Sequence, residues 1–434
     1  MKAGFAKADI TPAIGTPLLG WGIPSERPCT SINDPIFVRA LWLEHEGEAA
    51  LILSFDWCFV GREDGDRFKG VLGRTVGLSP ERILLNATHS HSGPAVGDYQ
   101  ALEFAQPERD YLREAEAAMV KAANQASGSC REVTIRASAG KTSIPMSRRC
   151  KRDGGVSNAP NPDGEIYETL PVCLFEDHNG NPVCLLFAAS THVVCMRGEA
   201  VSADYPGVAV DLLDAHLGET CAMFLQGMGG DSRPALLGEG REDWQWDCGW
   251  KEAQQVGETL AEEVTDTLST LKPVEPALTC ALLETHWTLE PHPSREEYLS
   301  IPESTSPTGK PNPKYLWAQQ QARLLERDTI FTAAPIFMQG IQLGPNLRII
   351  ALEGETMAAQ GHQIEHAFNV GGQVTFALGY SNGEGLYLAT TQMLEEGGYE
   401  AVSFWEYGFP SSLAKGTEKV IEQGLEDLKA LGIV

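Results

Sequence analysis

The chain is expected to be an α/β protein built of mixed β-sheets flanked by helices. Three observations carry that expectation. Apolar stretches of strand length interleave with stretches of helical period along the whole sequence. Several strand pairs are separated by only a short turn, which makes them antiparallel hairpins and rules out an all-parallel barrel. Hydrophobic residues make up 42% of the 434, ample for a core.

Taken in order, residues 37–43 and 49–55 read as a hairpin around Glu46-Gly47-Glu48. Residues 82–85 are an apolar run that reads as a buried strand. Residues 108–126 have helical period. Residues 146–167, with Arg148, Arg149, Lys151 and Arg152 among Gly, Asn and Pro, read as a long irregular loop of the kind that forms binding edges. Residues 170–175 and 182–187 flank His178-Asn179-Gly180-Asn181, a strong hairpin signal. A helix is expected over 206–217 and strands over 222–225 and 277–289, with a helix over 250–271 between them. Residues 290–313, rich in Pro and Ser, read as a second long loop. Helices over 313–327, 355–368 and 418–431 and strands over 336–352 and 374–378 complete the pattern. No internal repeat is visible, and one unit over residues 1–434 is expected.

The formal net charge is −26, with 33 Lys and Arg against 59 Asp and Glu. Phosphate backbones and anionic membranes both need cations, so neither nucleic acid nor a stable membrane association is expected as a partner. The partner expected is a small-molecule substrate. The first residues contain no apolar segment typical of a leader, and no apolar run is long enough to span a bilayer. Ten cysteines, including Cys173, Cys184 and Cys221 in apolar strand patterns, lack any Cys-x-x-Cys pair. Reduced thiols and a cytoplasmic location are expected.

The candidate site begins at Asn86-Ala87-Thr88-His89-Ser90-His91-Ser92-Gly93-Pro94. Two histidines follow a buried strand at spacing i and i+2. In extended backbone they point the same way, at the carboxyl end of a strand where α/β sheets place their ligands. Neutral imidazole is the commonest metal ligand, so a divalent metal is the natural third party.

Other segments, taken with this one, resemble the catalytic domain of the neutral/alkaline ceramidase family over nearly the whole chain. They are Asp9-Ile10-Thr11-Pro12 with Gly20, the segment Asp34 to Leu41, Asp56, His192 after Phe187-Ala188-Ala189, and Ser202-Ala203-Asp204-Tyr205-Pro206-Gly207. Glu355 in Leu352-Glu353-Gly354-Glu355-Thr356 and Tyr387 in Leu386-Tyr387-Leu388 complete the order. The resemblance implies a Zn²⁺ ion held by His89, His192, Glu355 and Tyr387. It implies a substrate-facing role for His91, able to donate to an oxyanion or shuttle a proton. It implies a substrate-site arginine at Arg148, with Arg149 as rival. Glu355 falls at an expected helix start. Asp204 is expected either to orient His192 or, more simply, to cap the helix from Pro206.

One departure stands out. The family carries its catalytic serine directly before a proline. Here Arg233 occupies that position before Pro234, and Ser232 lies one residue early. Members also carry a C-terminal immunoglobulin-like domain, which is not expected in this chain. The expected activity is therefore a zinc-dependent hydrolase using metal-activated water. Its substrate is expected to be small and polar, anionic or sugar-like, with Arg148 and Arg233 gripping negative charge. Three alternatives stand beside it: metal-assisted carbon–oxygen cleavage on a carbohydrate, an amidase using Ser232, and a binding protein that keeps zinc without catalysis.

Overall fold

In the computed structural model, which describes residues 1–21, 27–96, 109–152, 154–305, 311–368, 372–383 and 385–434, three β-sheets back onto one shared core. The first has the order Ile83–Ala87, Glu48–Phe55, Phe37–His45, Lys2–Asp9, Arg131–Glu132. The second has the order Ala222–Gln226, Pro182–Ala189, Thr169–Glu176, Thr134–Lys141, Lys272–Val274. The third has the order Thr279–Thr288, Ala333–Gly344, Leu347–Leu352, Val374–Leu378. Alternate residues point to one face. Leu41, Ile52 and Leu84 of the first sheet thus meet Phe175, Leu186 and Met223 of the second and Ile341, Ile349 and Phe376 of the third.

Each sheet contains the same unit of hairpin, helix and returning strand. Glu48–Phe55 pairs in parallel with Ile83–Ala87 across the helix Arg62–Val76. Pro182–Ala189 pairs in parallel with Ala222–Gln226 across Asp204–Leu217. Leu347–Leu352 pairs in parallel with Val374–Leu378 across Ala358–Ala367. Parallel neighbours need such a crossover. No repeat shows in the sequence because the units share topology and burial rather than residue identity.

The expected hairpins form. Glu46 and Gly47 both have positive φ, 51° and 87°, which matches the strand twist at a tight turn. Thr169–Glu176 and Pro182–Ala189 pair antiparallel about the second turn. Residues 146–167 depart from expectation. They hold the hairpin Pro145–Arg152 and Gly155–Asn161, joined by Ser232–Pro234 in a three-stranded sheet. The helix expected from Glu355 is Ala358–Ala367, so Glu355 lies before the helix and bridges Tyr387 instead. Within 290–313 a short helix, Arg295–Leu299, is capped by Ser294; residues 306–310 lie outside the described ones, as does Glu108. Several elements were not read from sequence at all, among them helix Arg62–Val76 and strands Lys2–Asp9 and Thr134–Lys141. Helix Arg62–Val76 contains three glycines that weaken its helical signal. Strand Lys2–Asp9 is rich in alanine, carries charges at Lys2, Lys7 and Asp9, and exists by pairing with Phe37–His45. All ten cysteines are free thiols. No helix among the described residues is long and apolar enough to cross a membrane.

Candidate metal centre

The returning strands of the three sheets meet at their carboxyl ends. Asn86, fully buried, ties them together. Its amide nitrogen donates to the Gly379 carbonyl (2.9 Å), to the Gln226 carbonyl (3.3 Å) and to Ser381 Oγ (3.1 Å), and its oxygen accepts from the Gln226 N–H (2.8 Å). The chain leaving Ile83–Ala87 then bends. The N–H groups of His89 and Ser90 both donate to the Trp57 carbonyl, and His89 sits at φ 69°. Extended alternation is therefore not what aims the two imidazoles. A bend at His89 does, and Ser90 goes on to bridge Val193. The rings still converge, with Nε2 atoms 3.1 Å apart.

The other expected ligands arrive from the other two sheets. His192 follows Pro182–Ala189, and Glu355 follows Leu347–Leu352. Tyr387 is held beside Glu355 by a parallel bridge. His192 Nε2 lies 3.3 Å from Glu355 Oε2 and 3.2 Å from the Tyr387 hydroxyl, and His89 Nε2 lies 3.5 Å from the same Oε2. All four side chains are buried.

These residues fit a metal ion. Ligands about 2.0–2.1 Å from a tetrahedral zinc stand about 3.3–3.4 Å apart, close to the spacings seen. His89 Nδ1 meets the Cys58 carbonyl at 2.8 Å, and His192 Nδ1 meets the Gly229 carbonyl at 2.7 Å. Each Nδ1 must therefore carry the proton, which turns an Nε2 lone pair inward. Tyr407 donates to Glu355 Oε1 (2.6 Å) and leaves Oε2 to the centre. Burial holds His89 down to about 3 and pushes His91 and His192 down as well, so all three are neutral. Burial alone would raise Glu355, but His89, His192 and Tyr407 more than offset it and keep the carboxylate ionised. Neutral imidazoles around a carboxylate are the state a metal requires.

His91 stands between two roles. Its Nε2–H donates to the His89 lone pair, since His89 Nδ1 already holds that ring's proton, and its own Nδ1 is buried without a partner among the described residues. Gly20 makes room for it. A Cβ on Gly20 would lie 2.5 Å from the His91 ring, and Gly20 has φ 104°.

Arg148 and Arg149 separate cleanly. Arg148 reaches the cluster, with Nη1 3.2 Å from His192 Nε2. Its Nε donates to Glu400 (2.8 Å), while its Nη2 is buried without a partner among the described residues. Arg149 turns to Glu400, Glu396 and the Gly397 carbonyl. Ser232 pairs with Ser147 and its hydroxyl donates to the Ser190 carbonyl (3.0 Å), and no base is hydrogen-bonded to it among the described residues. Arg233, opposite Met146, is buried against Trp244 and Trp246. Asp204 does not touch His192. Its carboxylate accepts from the N–H groups of Met196 (2.7 Å) and Tyr205 (2.6 Å), tying a loop to the first turn of its helix.

Sequence reasoning missed Glu400, Tyr407 and Tyr380, whose hydroxyl lies 3.3 Å from Glu355 Oε2 and whose tilted ring has its centroid 4.2 Å from that of His89. It also gave no account of the glycines at 227, 229 and 230. A Cβ on Gly229 would lie 2.9 Å from the Thr191 backbone, so only glycine lets this loop carry its carbonyl to His192.

No family model matches the chain. Neutral ceramidase A of Dictyostelium discoideum is 24% identical over 264 residues, which is 55% of this chain and 36% of that protein. A crystal structure of neutral ceramidase from Pseudomonas aeruginosa superposes with a TM-score of 0.76 at 17% identity, over 98% of this chain and 73% of its own. A structure of a ceramidase complexed with C2 gives 0.75 at 16% identity, over all of this chain and 76% of its own. The chain thus has a neutral-ceramidase-like α/β fold of mixed sheets and flanking helices, as its motifs implied.

Proposed function

We propose that this neutral-ceramidase-like fold carries a zinc-dependent hydrolase for a small polar substrate. One observation supports the reading above all: two imidazoles anchored through Nδ1, an ionised carboxylate and a phenol converge with 3.2–3.5 Å between donor atoms. His89, His192, Glu355 and Tyr387 would hold the ion. Zinc in such a set supplies a Lewis acid and eases deprotonation of water at neutral pH.

The chain's own residues do the rest. His91 can give or take a proton at Nε2 beside the cluster, within the reach a general acid or base needs. Arg148 is held by Glu400 with Nη2 to spare, so it can stabilise negative charge as it develops. Burial of Arg148 excludes water around it and strengthens its interactions. The relatives are named ceramidases, but Arg233 here occupies the place where the family motif carries its serine, and Ser232 is turned to the Ser190 carbonyl. Ceramide is therefore not the proposed substrate.

Metal analysis tests the centre. Full chain purified without chelator should carry about one zinc, and His89→Ala, His192→Ala and Glu355→Gln should each lose most of it. Equal zinc in wild type and all three variants would reject the site.

A further inference from the structure

We propose that the arginine and tryptophan face beside this cluster is an anion subsite, where Arg233 and Arg197 hold a carboxylate, sulfate or phosphate group of the substrate. The proposal rests on reading the cluster as a reaction centre.

Strand register places the cations. Arg233 lies opposite Met146, and Arg148 is two residues beyond Met146 on the same strand. Arg148 sits where the register shifts between Ser147 and Arg149, and it lies close enough to Arg233 to oppose that residue's charge. A continuous path of rings and guanidinium groups leads there from the cluster. Trp21 packs edge-on against His91 with centroids 5.3 Å apart, and Arg197 lies over Trp21 at 4.3 Å. Arg197 also lies 5.3 Å from the Trp246 ring, and Arg233 lies 4.5 Å from the same ring. Trp246 itself is 41% exposed, so the path ends at solvent.

What these arginines lack is the argument. Arg233 is only 7% exposed, yet among the described residues its guanidinium has no hydrogen bond and no ion pair. Among the described residues Arg197 donates only to the Trp246 carbonyl, at 3.2 Å. Arg27, which lies close enough to His91 to oppose its charge, donates to the carbonyls of Leu19 and Gly198. No carboxylate among the described residues pairs with any of the three. Of the other buried arginines, Arg39 is matched by Asp56 and Arg149 by Glu400, while Arg348 is satisfied by the oxygens of Val434, Gln373, Thr375 and Pro345 at 2.6–3.1 Å. In a chain with 59 acidic residues against 33 basic ones, an unmatched cationic face is the opposite of what composition delivers. Burying an unpaired charge is costly. Burial, then Arg148, then Arg197 push Arg233 down to about 10, which still leaves it charged at neutral pH. An oxyanion would offset that cost, and the planar guanidinium fork grips one through two hydrogen bonds. Tryptophan stacking alone explains the packing of Arg233 but not the missing acid partners.

The test is anion binding by the full chain, treated with EDTA so that metal cannot act as the anion receptor. Sodium sulfate, phosphate and acetate are each titrated at constant ionic strength against chloride, with calorimetry and melting temperature as readouts. At least one should bind and raise the melting temperature. Arg233→Gln should weaken that binding by roughly tenfold or more, the scale of a charged hydrogen bond, and Arg233→Lys by less. Exposed Arg197→Gln leaves the core intact and should weaken it too, which keeps the test open if Arg233 variants fold poorly. The best-bound anion identifies the group carried by the substrate. Wild-type indifference to all three salts, or equal binding by Arg197→Gln and Arg233→Gln, would overturn the subsite. Zinc content separates the two readings. A chain that binds sulfate through Arg233 but never holds zinc keeps the subsite and loses the proposed hydrolase.

Discussion

His89 and His192 differ from ordinary buried histidines in having one ring nitrogen fixed by a backbone carbonyl and the other aimed at a shared point. His91 also presents Nε2 to the cluster, but its Nδ1 has no partner among the described residues. That asymmetry sets its expected behaviour. His91→Ala should keep zinc and fold, because none of the four proposed ligands is removed. It should lose on the order of 10²–10⁴-fold in activity on any substrate the wild type turns over, the usual contribution of an acid–base group. Paired measurement of zinc content and rate decides. Loss of zinc would make His91 a ligand, and an unchanged rate would make it a bystander. At this scale the side chains that converge, His89, His192, Glu355, Tyr387 and Arg148, were legible because they lie in short motifs. Glu400 was not, because 252 positions separate it from Arg148 and only the fold brings them to 2.8 Å. Ser232 shows what a motif leaves open. Only strand register reveals that its side chain turns away from the centre.

Between elements, the centre depends on the knot at Asn86. Three strands from three sheets end there, and one side chain satisfies groups on two of them beyond its own. Asn86→Ala would leave the Gly379 carbonyl and the Gln226 N–H without these partners in a dry interior. Each such loss costs about 1–3 kcal/mol, so a destabilisation of roughly 3 kcal/mol or more is expected. Asn86→Asp should be worse, since it removes the donor and adds a buried charge. Chemical denaturation checks both, and a cost under about 0.5 kcal/mol for the alanine variant would show that water replaces the side chain. Elements with a clear period and a marked turn were readable, as with Phe37–His45 and Glu48–Phe55. Lys2–Asp9 and the hairpin within 146–167 were not. Their strand character comes from pairing rather than from an apolar alternation of their own. The bend at His89 was equally hidden. Positive φ at His89, Tyr380 and Asn382 gathers strain around the centre that no local propensity announces.

Over the whole molecule, burial has shifted two sets of titrating groups in opposite senses. Burial raises Asp231 and Glu353 to about 7 and Asp204 to about 6. Between the unfolded carboxyl value near 4 and those folded values, the native chain holds protons that the unfolded chain has released. Their contribution to stability therefore falls as pH rises through that window and is constant above it. Burial depresses His89, His91 and His192, so below about 6.5 the unfolded chain binds protons that the native chain refuses. Their contribution rises with pH up to that value. The two trends oppose each other from about pH 4 to 6.5, so wild-type stability alone is uninformative there. A single variant separates them. Asp231 accepts from the Ala358 N–H (3.0 Å) at the start of a helix, and its carbonyl accepts from the Arg148 N–H (2.9 Å). Asp231→Asn keeps both acceptors and removes only the titration. Near pH 4.5 variant and wild type should be close in stability. As pH rises toward 7.5 the variant should gain on the wild type, by at most about 4 kcal/mol, and the difference should level off beyond pH 8. Denaturation in matched buffers follows that difference directly. A constant offset from pH 4.5 to 8 would mean that Asp231 stays ionised, with the helix N-terminus outweighing its burial.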